Sequence, residues 1–360
     1  MSRDLAGSRT TPKSFFPKAL LWLALLHYYT TISGFVAYCF VVARKIRVTR
    51  ADFFALCGLT LLLVVHWITE SLTDTVHDFR YSWGWLIFYF IFKPSIVSRK
   101  VLTATLVILS VLTIVEATLV NTVISAKMLP NFPKDVEGVI GTYSLVAGTG
   151  YQRPYSFGGS PQVGSALLVT LMALCHVQRW RLWLATLAVL SCASGTGAFA
   201  LLFLLLVKYP VQMVKAALPL SFILLVGTLW FLPQVEFVQV MLVEKVGWEY
   251  VGFLADYSIE VANIVYNRMG LYEFIFGSSG FGHGGDWALL SFGEMNGLVG
   301  LLVFLLMIFS RTNRANRFPL LIILAASIHY GAIFFMPGQM IFGLLLSIGK
   351  EGLPDTAGAR

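Results

Sequence analysis

Val101-Leu-Thr-Ala-Thr-Leu-Val-Ile-Leu-Ser-Val-Leu-Thr-Ile-Val-Glu-Ala-Thr-Leu-Val-Asn121 is the stretch that decides the fold. It runs 21 residues with a single charge, Glu116. Wound as an α-helix at ~1.5 Å per residue it reaches about 31 Å, enough to cross ~30 Å of hydrocarbon. A soluble α-protein would show amphipathic periodicity instead of such a block. Outward from it, further apolar blocks lie at 19–43, 52–70, 82–97, 162–178, 182–208, 216–233, 287–309, 318–335 and 338–349. The block at 182–208 carries Ser191-Cys192-Ala193-Ser194-Gly195-Thr196-Gly197 at its centre. Such small, flexible residues fit two short helices meeting at a turn, while one long tilted helix remains the alternative.

The composition agrees. Of 360 residues 57% are hydrophobic and 12% charged, about half the charge of a soluble domain, and the mean hydropathy is +0.77. Too few polar side chains remain to cover a globular surface. The reading is an all-α polytopic integral membrane protein, a single membrane domain over 1–360, with about eleven transmembrane helices (ten to twelve). The net charge of +8 does not point to nucleic acid, because Lys and Arg sit in short clusters between apolar blocks. Cys39, Cys57, Cys175 and Cys192 fall inside apolar stretches at unrelated spacings; they read as small buried hydrophobes, neither a zinc site nor a disulfide framework. No small-residue cleavage site follows the first apolar block, so no removable signal peptide is expected.

Orientation follows from the cations. Arg44-Lys45 with Arg47 and Arg50, Arg99-Lys100, Arg179 with Arg181, Lys208 with Lys215, Arg311 with Arg314 and Arg317, and Lys350 with Arg360 fall on one side when 182–208 counts as a pair. That side is expected to be cytoplasmic. The basic N-terminus lands outside, either as a tolerated exception or because block 19–43 is a hairpin that makes the count twelve. Two long polar segments, 122–161 and 234–286, then lie on the outer face as extracytoplasmic loops. Ordered loops of that length are usually functional.

Three stretches there carry candidate chemistry. Arg153-Pro-Tyr-Ser-Phe-Gly-Gly-Ser-Pro161-Gln162-Val-Gly164 holds an Arg above the bilayer on a Gly/Pro-rich turn; it grips phosphate with two prongs, or simply snorkels. Arg268 falls where Val261, Ile264, Val265, Leu271 and Tyr272 recur at helical spacing, which reads as an interfacial helix. After it, Gly277-Ser-Ser-Gly280-Phe-Gly282-His283-Gly284-Gly285-Asp286-Trp287 can act as an anion nest or as a hinge. It is neither a phosphate-binding P-loop nor a dinucleotide fingerprint. Asp286 and Glu294 stand eight positions apart, on one face of a helix starting there. Glu294 lies within an apolar block, as do His66, Glu70, Glu116 and His329, most of which are expected to be structural partners. No cluster has metal-ligand spacing.

These stretches resemble the O-antigen ligase and polymerase superfamily (Wzy-type) of multi-helix bacterial glycosyltransferases. Arg153 through Gly164 is similar to its outer-face Arg, ten residues, then Gly, with Pro161-Gln162 where Pro-Asn is common. Arg268 with Gly277, Gly280 and Gly282 resembles the second outer-face Arg and its glycine turn, although Ser279 occupies the ten-residue position and Gly280 comes one later. Asp286-Trp287, nine residues, and Gly297-Leu-Val-Gly300 is similar to the ligase pattern of His, a polar residue, nine residues and Gly-x-x-Gly. Here Asp286 replaces His and Trp287 replaces Asn, Ser or Gln, a change that argues for polymerase over ligase. Ser194-Gly195-Thr196 stands where the family often has Ser-Arg. The likeness covers about 150–349.

The resemblance implies a GT-C-like fold in the bacterial inner membrane with an extracytoplasmic active face. It implies transfer of a glycan from undecaprenyl diphosphate to a second lipid-linked repeat unit, without metal or other cofactor, in O-antigen, capsule or exopolysaccharide synthesis. Arg153 and Arg268 are then expected on the diphosphate and Asp286 on the acceptor hydroxyl, with Gly164, Gly280, Gly282, His283 and Glu294 around the substrate. Expected partners are the undecaprenyl-diphosphate-linked oligosaccharide, the bilayer and a chain-length regulator protein, with no nucleic acid. The rivals are an O-antigen ligase acting on lipid A-core and a lipid-linked oligosaccharide flippase or transporter.

Overall fold

The computed structural model describes residues 48–91, 99–122, 151–175, 180–211, 256–257, 259–265, 267, 269–278 and 287–351. Among them there is no strand. The helices are α1 (Arg50–Thr69), α2 (Leu72–Trp83), α3 (Trp85–Ile91), α4 (Arg99–Thr122), α5 (Pro161–Cys175), α6 (Trp180–Ser191), α7 (Gly195–Lys208), α8 (Leu271–Phe276), α9 (Ala288–Arg311), α10 (Arg317–Tyr330) and α11 (Gly338–Glu351). By length and composition α1, α4 and α9 can each cross a membrane, and α5, α6, α7, α10 and α11 are shorter apolar helices. The apolar blocks at 19–43 and 216–233 lie outside the described residues, as do most of 122–161 and 234–286.

The surface is consistent with a membrane protein. Phe53, Phe54, Trp67 and Ile68 on α1, and Leu302, Leu305, Leu306 and Phe309 on α9, are exposed. Rows of large apolar side chains facing outward suit lipid rather than water, where patches of this kind are rare. Helix α5 is the opposite case. Every residue of it except Gln162 is buried, as expected of an apolar helix enclosed on all sides, and it packs against α4, α6, α7 and α10. A second centre joins α1 to α9 and α3 to α11, where the rings of Trp83, Trp85, Phe292, Phe304, Phe334 and Phe342 stack edge and face.

The block at 182–208 is two helices. Ala193 turns the chain with φ +45°, and the Ser194 hydroxyl accepts the Gly197 N–H (3.3 Å) to cap α7. With 12 and 14 residues, α6 and α7 extend only about 18 and 21 Å, short of the bilayer core.

One end of the bundle is locked by charge. Asp52, fully buried, opens α1 and forms a capping box with Thr49. Its carboxylate accepts from Arg311 at the end of α9 (2.6 Å), Lys350 at the end of α11 (3.0 Å) and Tyr89 at the end of α3 (2.6 Å). Arg311 also donates to the Thr49 hydroxyl. Asn316 adds α10 by donating to the carbonyls of Arg311 and Leu345 (both 2.8 Å). In the other half Lys208 donates to the Met172 carbonyl (3.2 Å) near the end of α5. The cations of α1, α7, α9, α10 and α11 thus share an end, with the Tyr151–Pro161 loop, α8 and the turn after α10 at the other.

Candidate functional site

At the end opposite the basic lock, the last turns of α4 present Thr113, Glu116 and Asn121 towards the loop that carries Arg153. Glu116, 8% exposed, spends one oxygen on each of two consecutive main-chain donors, the Tyr155 N–H (2.9 Å) and the Ser156 N–H (3.0 Å). Asn121 pairs with the Gln152 main chain, donating to its carbonyl (2.9 Å) and accepting from its N–H (2.8 Å). The Thr113 and Ser156 hydroxyls share a hydrogen bond of 2.7 Å. From the far side Tyr151 donates its phenol to the Ser191 carbonyl (2.6 Å), at the turn between α6 and α7. Burial raises the Tyr151 pKa, and the nearby Cys192 acts in the same direction, so the phenol stays protonated and keeps this bond.

The loop so held is sunk into the protein. Ser156 is fully buried and Phe157 nearly so. Ser156 adopts φ +58°, a left-handed conformation that costs about 1–3 kcal/mol for a non-glycine residue unless its surroundings enforce it. Here the Glu116 and Thr113 bonds enforce it. The structure also explains the interval from Arg153 to Gly164. The chain descends, turns at Ser156 and doubles back over the first turn of α5, so a Cβ at Gly164 would lie 2.6 Å from the Ser156 Cβ. Gly164 is buried beneath the loop, and Arg153 is half-buried at its start. Replacing Glu116 by Gln turns one acceptor into a donor facing an N–H. We expect Glu116→Gln to lower stability by about 1–3 kcal/mol, read from thermal unfolding in detergent, and to open the loop to proteolysis; wild-type behaviour in both would remove this account of the loop.

A second cluster surrounds the N-terminal half of α9. The helix breaks at Gly297 (φ 58°, ψ −165°), and Gly277 (φ +87°) lies backbone to backbone against the break. Ser278 donates its N–H to the Glu294 carbonyl (2.9 Å). His66 of α1 is bonded through Nε2 to the Phe276 carbonyl (2.7 Å), with Glu70 3.6 Å from its Nδ1. Asn296 closes the back wall: its Oδ1 accepts from the Trp83 indole (2.7 Å) and its Nδ2 donates to the Ser82 hydroxyl (2.9 Å) and the Phe292 carbonyl (3.0 Å). Glu294 is buried in this cluster at 3% exposure.

Of the candidate residues, Arg153 and Gly164 belong to the first cluster and Glu294 to the second. Arg268, Gly280, Gly282, His283 and Asp286 lie outside the described residues, as does the His329 side chain. His66 and Glu116 are structural partners of loops, as intramembrane ionisable groups commonly are. The loop anchors Thr113 and Asn121, and Asn296 with Trp83, are polar residues of ordinary appearance that no spacing rule singles out. Among the described residues no three His, Cys, Asp or Glu side chains gather as a metal ion would require. No known family model, curated protein or solved structure matches this chain.

Proposed function

We propose that this protein is a membrane-embedded polysaccharide polymerase, moving a glycan from undecaprenyl diphosphate onto a lipid-linked repeat unit. The observation that carries the reading is the sunken Arg153 loop. A protein that spends a buried carboxylate, two side-chain amide bonds and a left-handed serine to hold one irregular loop at the bundle end is fixing the position of something, and the loop's cation is Arg153. In this reading the fold is GT-C-like with about eleven spans, the membrane is the bacterial inner membrane, and the Arg153 end faces outward because the cation clusters gather at the other.

The chemistry asked of the site is displacement at an anomeric carbon. The acceptor hydroxyl oxygen forms the new C–O bond as the bond to diphosphate breaks, and the leaving diphosphate takes the electron pair. Guanidinium groups of Arg153 and Arg268 stabilise that growing charge, while Asp286 takes the hydroxyl proton or orients the hydroxyl. Gly280, Gly282, His283 and Glu294 complete the substrate surroundings. Loss of the chain should collapse the surface-glycan ladder to one repeat unit; unattached long chains would mean a ligase instead. Arg153→Ala should cost about 10²-fold or more in polymerisation, and Arg153→Lys most of it, since Lys keeps charge but not the two-pronged geometry. Wild-type ladders from Arg153→Ala, at matched membrane abundance, would sink the assignment.

The break at Gly297 and the short α6–α7 pair are features that a transporter would share, so the flippase reading stays the competitor from another class. An unaltered ladder with lipid-linked units trapped on the inner face would favour it. Orientation is tested separately. Ser156 is too buried to report it, whereas Thr73 and Arg314 are exposed. In intact spheroplasts a membrane-impermeant maleimide should label Thr73→Cys and spare Arg314→Cys; the opposite pattern inverts the protein and removes the mechanism.

A further inference from the structure

At the α8 end of α1, His66 is buried at 3% exposure, and its two ring nitrogens have different neighbours. Nε2 lies 2.7 Å from the Phe276 carbonyl oxygen. A carbonyl only accepts, so Nε2 carries the proton and donates. That assignment fixes the rest of the ring. In the neutral imidazole Nδ1 is then a bare acceptor, and it makes no hydrogen bond among the described residues. What it meets is the Glu70 carboxylate, with Oε2 at 3.6 Å and the Glu70 side chain 11% exposed. Glu70 stands one turn on, its backbone held by its own N–H on the His66 carbonyl (2.8 Å). Two acceptors therefore face each other across a gap that one proton would turn into a hydrogen bond.

We propose that the His66–Glu70 pair is a one-proton switch that tightens the hold of α1 on the Phe276–Ser278 segment. On proton uptake the Nδ1–H donates to the Glu70 carboxylate and the ring becomes imidazolium, since imidazole is a stronger base than a carboxylate. The Nε2–H bond to Phe276 is then charge-assisted, about twice as strong as its neutral form. The effect reaches the second cluster through the main chain. Gly277 lies against the Gly297 break, and the Ser278 N–H bonds the Glu294 carbonyl. Imidazole is the side chain whose charge ordinarily changes between about pH 5 and 8, so the wall beside Glu294 is firmer in acid and looser in alkali. Among the described residues, the other charged groups on the elements packed against this end of α1 are Asp74, His77, Asp78 and Arg80 on α2, Glu273 on α8 and Glu294 on α9. Of these, Asp78 is the competitor for the proton. It is buried, and burial raises its pKa; a hydrogen bond from His77 opposes that and the nearby Glu70 adds to it. The switch belongs to the scaffold of the cluster and does not depend on which reaction the cluster serves.

The test reads amide hydrogen exchange in the full-length protein in nanodiscs, as protection factors, which remove the intrinsic pH dependence of exchange. Protection of Gly277 and Ser278, the amides that follow the Phe276 carbonyl, should rise about tenfold between about pH 8 and pH 5, the step from a neutral to a charge-assisted hydrogen bond. His66→Gln keeps a donor for the Phe276 carbonyl but has no second proton to take. Glu70→Gln offers Nδ1 an N–H at every pH. Both should give flat profiles, and Glu70→Gln is the stronger test, because a merely structural Glu70 would leave the rise in place. Asp78→Asn removes the competing carboxyl, and with it the partner of exposed His77 (3.6 Å), and should keep the rise. Nitrogen-15 spectra should show His66 protonated at Nε2 alone at the alkaline end and at both nitrogens at the acid end. A flat wild-type profile, a rise that survives His66→Gln or Glu70→Gln, a rise abolished by Asp78→Asn, or a His66 proton on Nδ1 alone in alkali would overturn the inference.

Discussion

Asp52→Ala should destabilise the protein by about 3–5 kcal/mol, the range for breaking a buried ion pair by removing one partner. The size comes from what is left behind. Asp52 answers two cations, Arg311 at 2.6 Å and Lys350 at 3.0 Å, with side-chain exposures of 9% and 15%. Without it, the buried Arg311 guanidinium and the Tyr89 hydroxyl lose the carboxylate that both bond. The Tyr89 and Phe90 rings near Lys350 (5.1 and 5.8 Å) return only about 0.5–2 kcal/mol. Thermal unfolding of purified protein in detergent measures the loss. Asp52→Ala combined with Arg311→Met should recover part of it, since removing a charge with its partner avoids the unpaired ion. A single variant within about 0.5 kcal/mol of wild type, the scale of surface substitutions, would show that the lock contributes little.

That lock shows where the sequence stops being informative. Hydropathy places α1, α4 and α9 well, because crossing hydrocarbon is a property of each segment alone; blocks 52–70, 101–121 and 287–309 correspond to Arg50–Thr69, Arg99–Thr122 and Ala288–Arg311. The turn within 182–208 was equally local, written in Ser194 and its glycines. Asp52, by contrast, meets cations 259 and 298 residues away, and nothing near it in sequence says which helix face it shares with them. Glu116 stood out as an intramembrane carboxylate, but its role required knowing that a loop some 40 residues on would bring two N–H groups to it. Helix rotation and depth are set by packing, and packing sums over all neighbours at once. Arg153 and Gly164 were visible as a spaced pair, while the reason for the interval, a loop doubling back over Gly164, is a three-dimensional fact.

The second glycine pattern makes the sharper test. Gly297 starts the Gly-x-x-Gly pattern, and the structure gives it φ 58° and ψ −165°, inside what would otherwise be a continuous apolar helix. That conformation is essentially confined to glycine and costs other residues about 1–3 kcal/mol. A Cβ there would also lie 2.5 Å from both the Gly277 nitrogen and the Ile275 carbonyl oxygen, main-chain atoms that no rotamer change can move. Gly297→Ala therefore faces strain and overlap together, and the expected loss exceeds 3 kcal/mol, beyond the usual range for single substitutions. The alternative response is for α9 to straighten through the break, which would expel the Phe276–Ser278 segment and sever the His66–Phe276 and Ser278–Glu294 bonds. Either route disturbs the wall formed by Glu294 and Asn296. Gly293→Ala, one turn earlier in the same helix, is the control. Its new Cβ would come no nearer than 3.7 Å to the Leu301 side chain, and Ala is favoured over Gly in a helix by about 1 kcal/mol. Unfolding midpoints should separate the two variants, and protease cleavage near residue 277 should rise in Gly297→Ala alone. If Gly297→Ala matches Gly293→Ala in both measurements, α9 runs through Gly297 without a break and the Gly277–Gly297 contact does not hold the second cluster together.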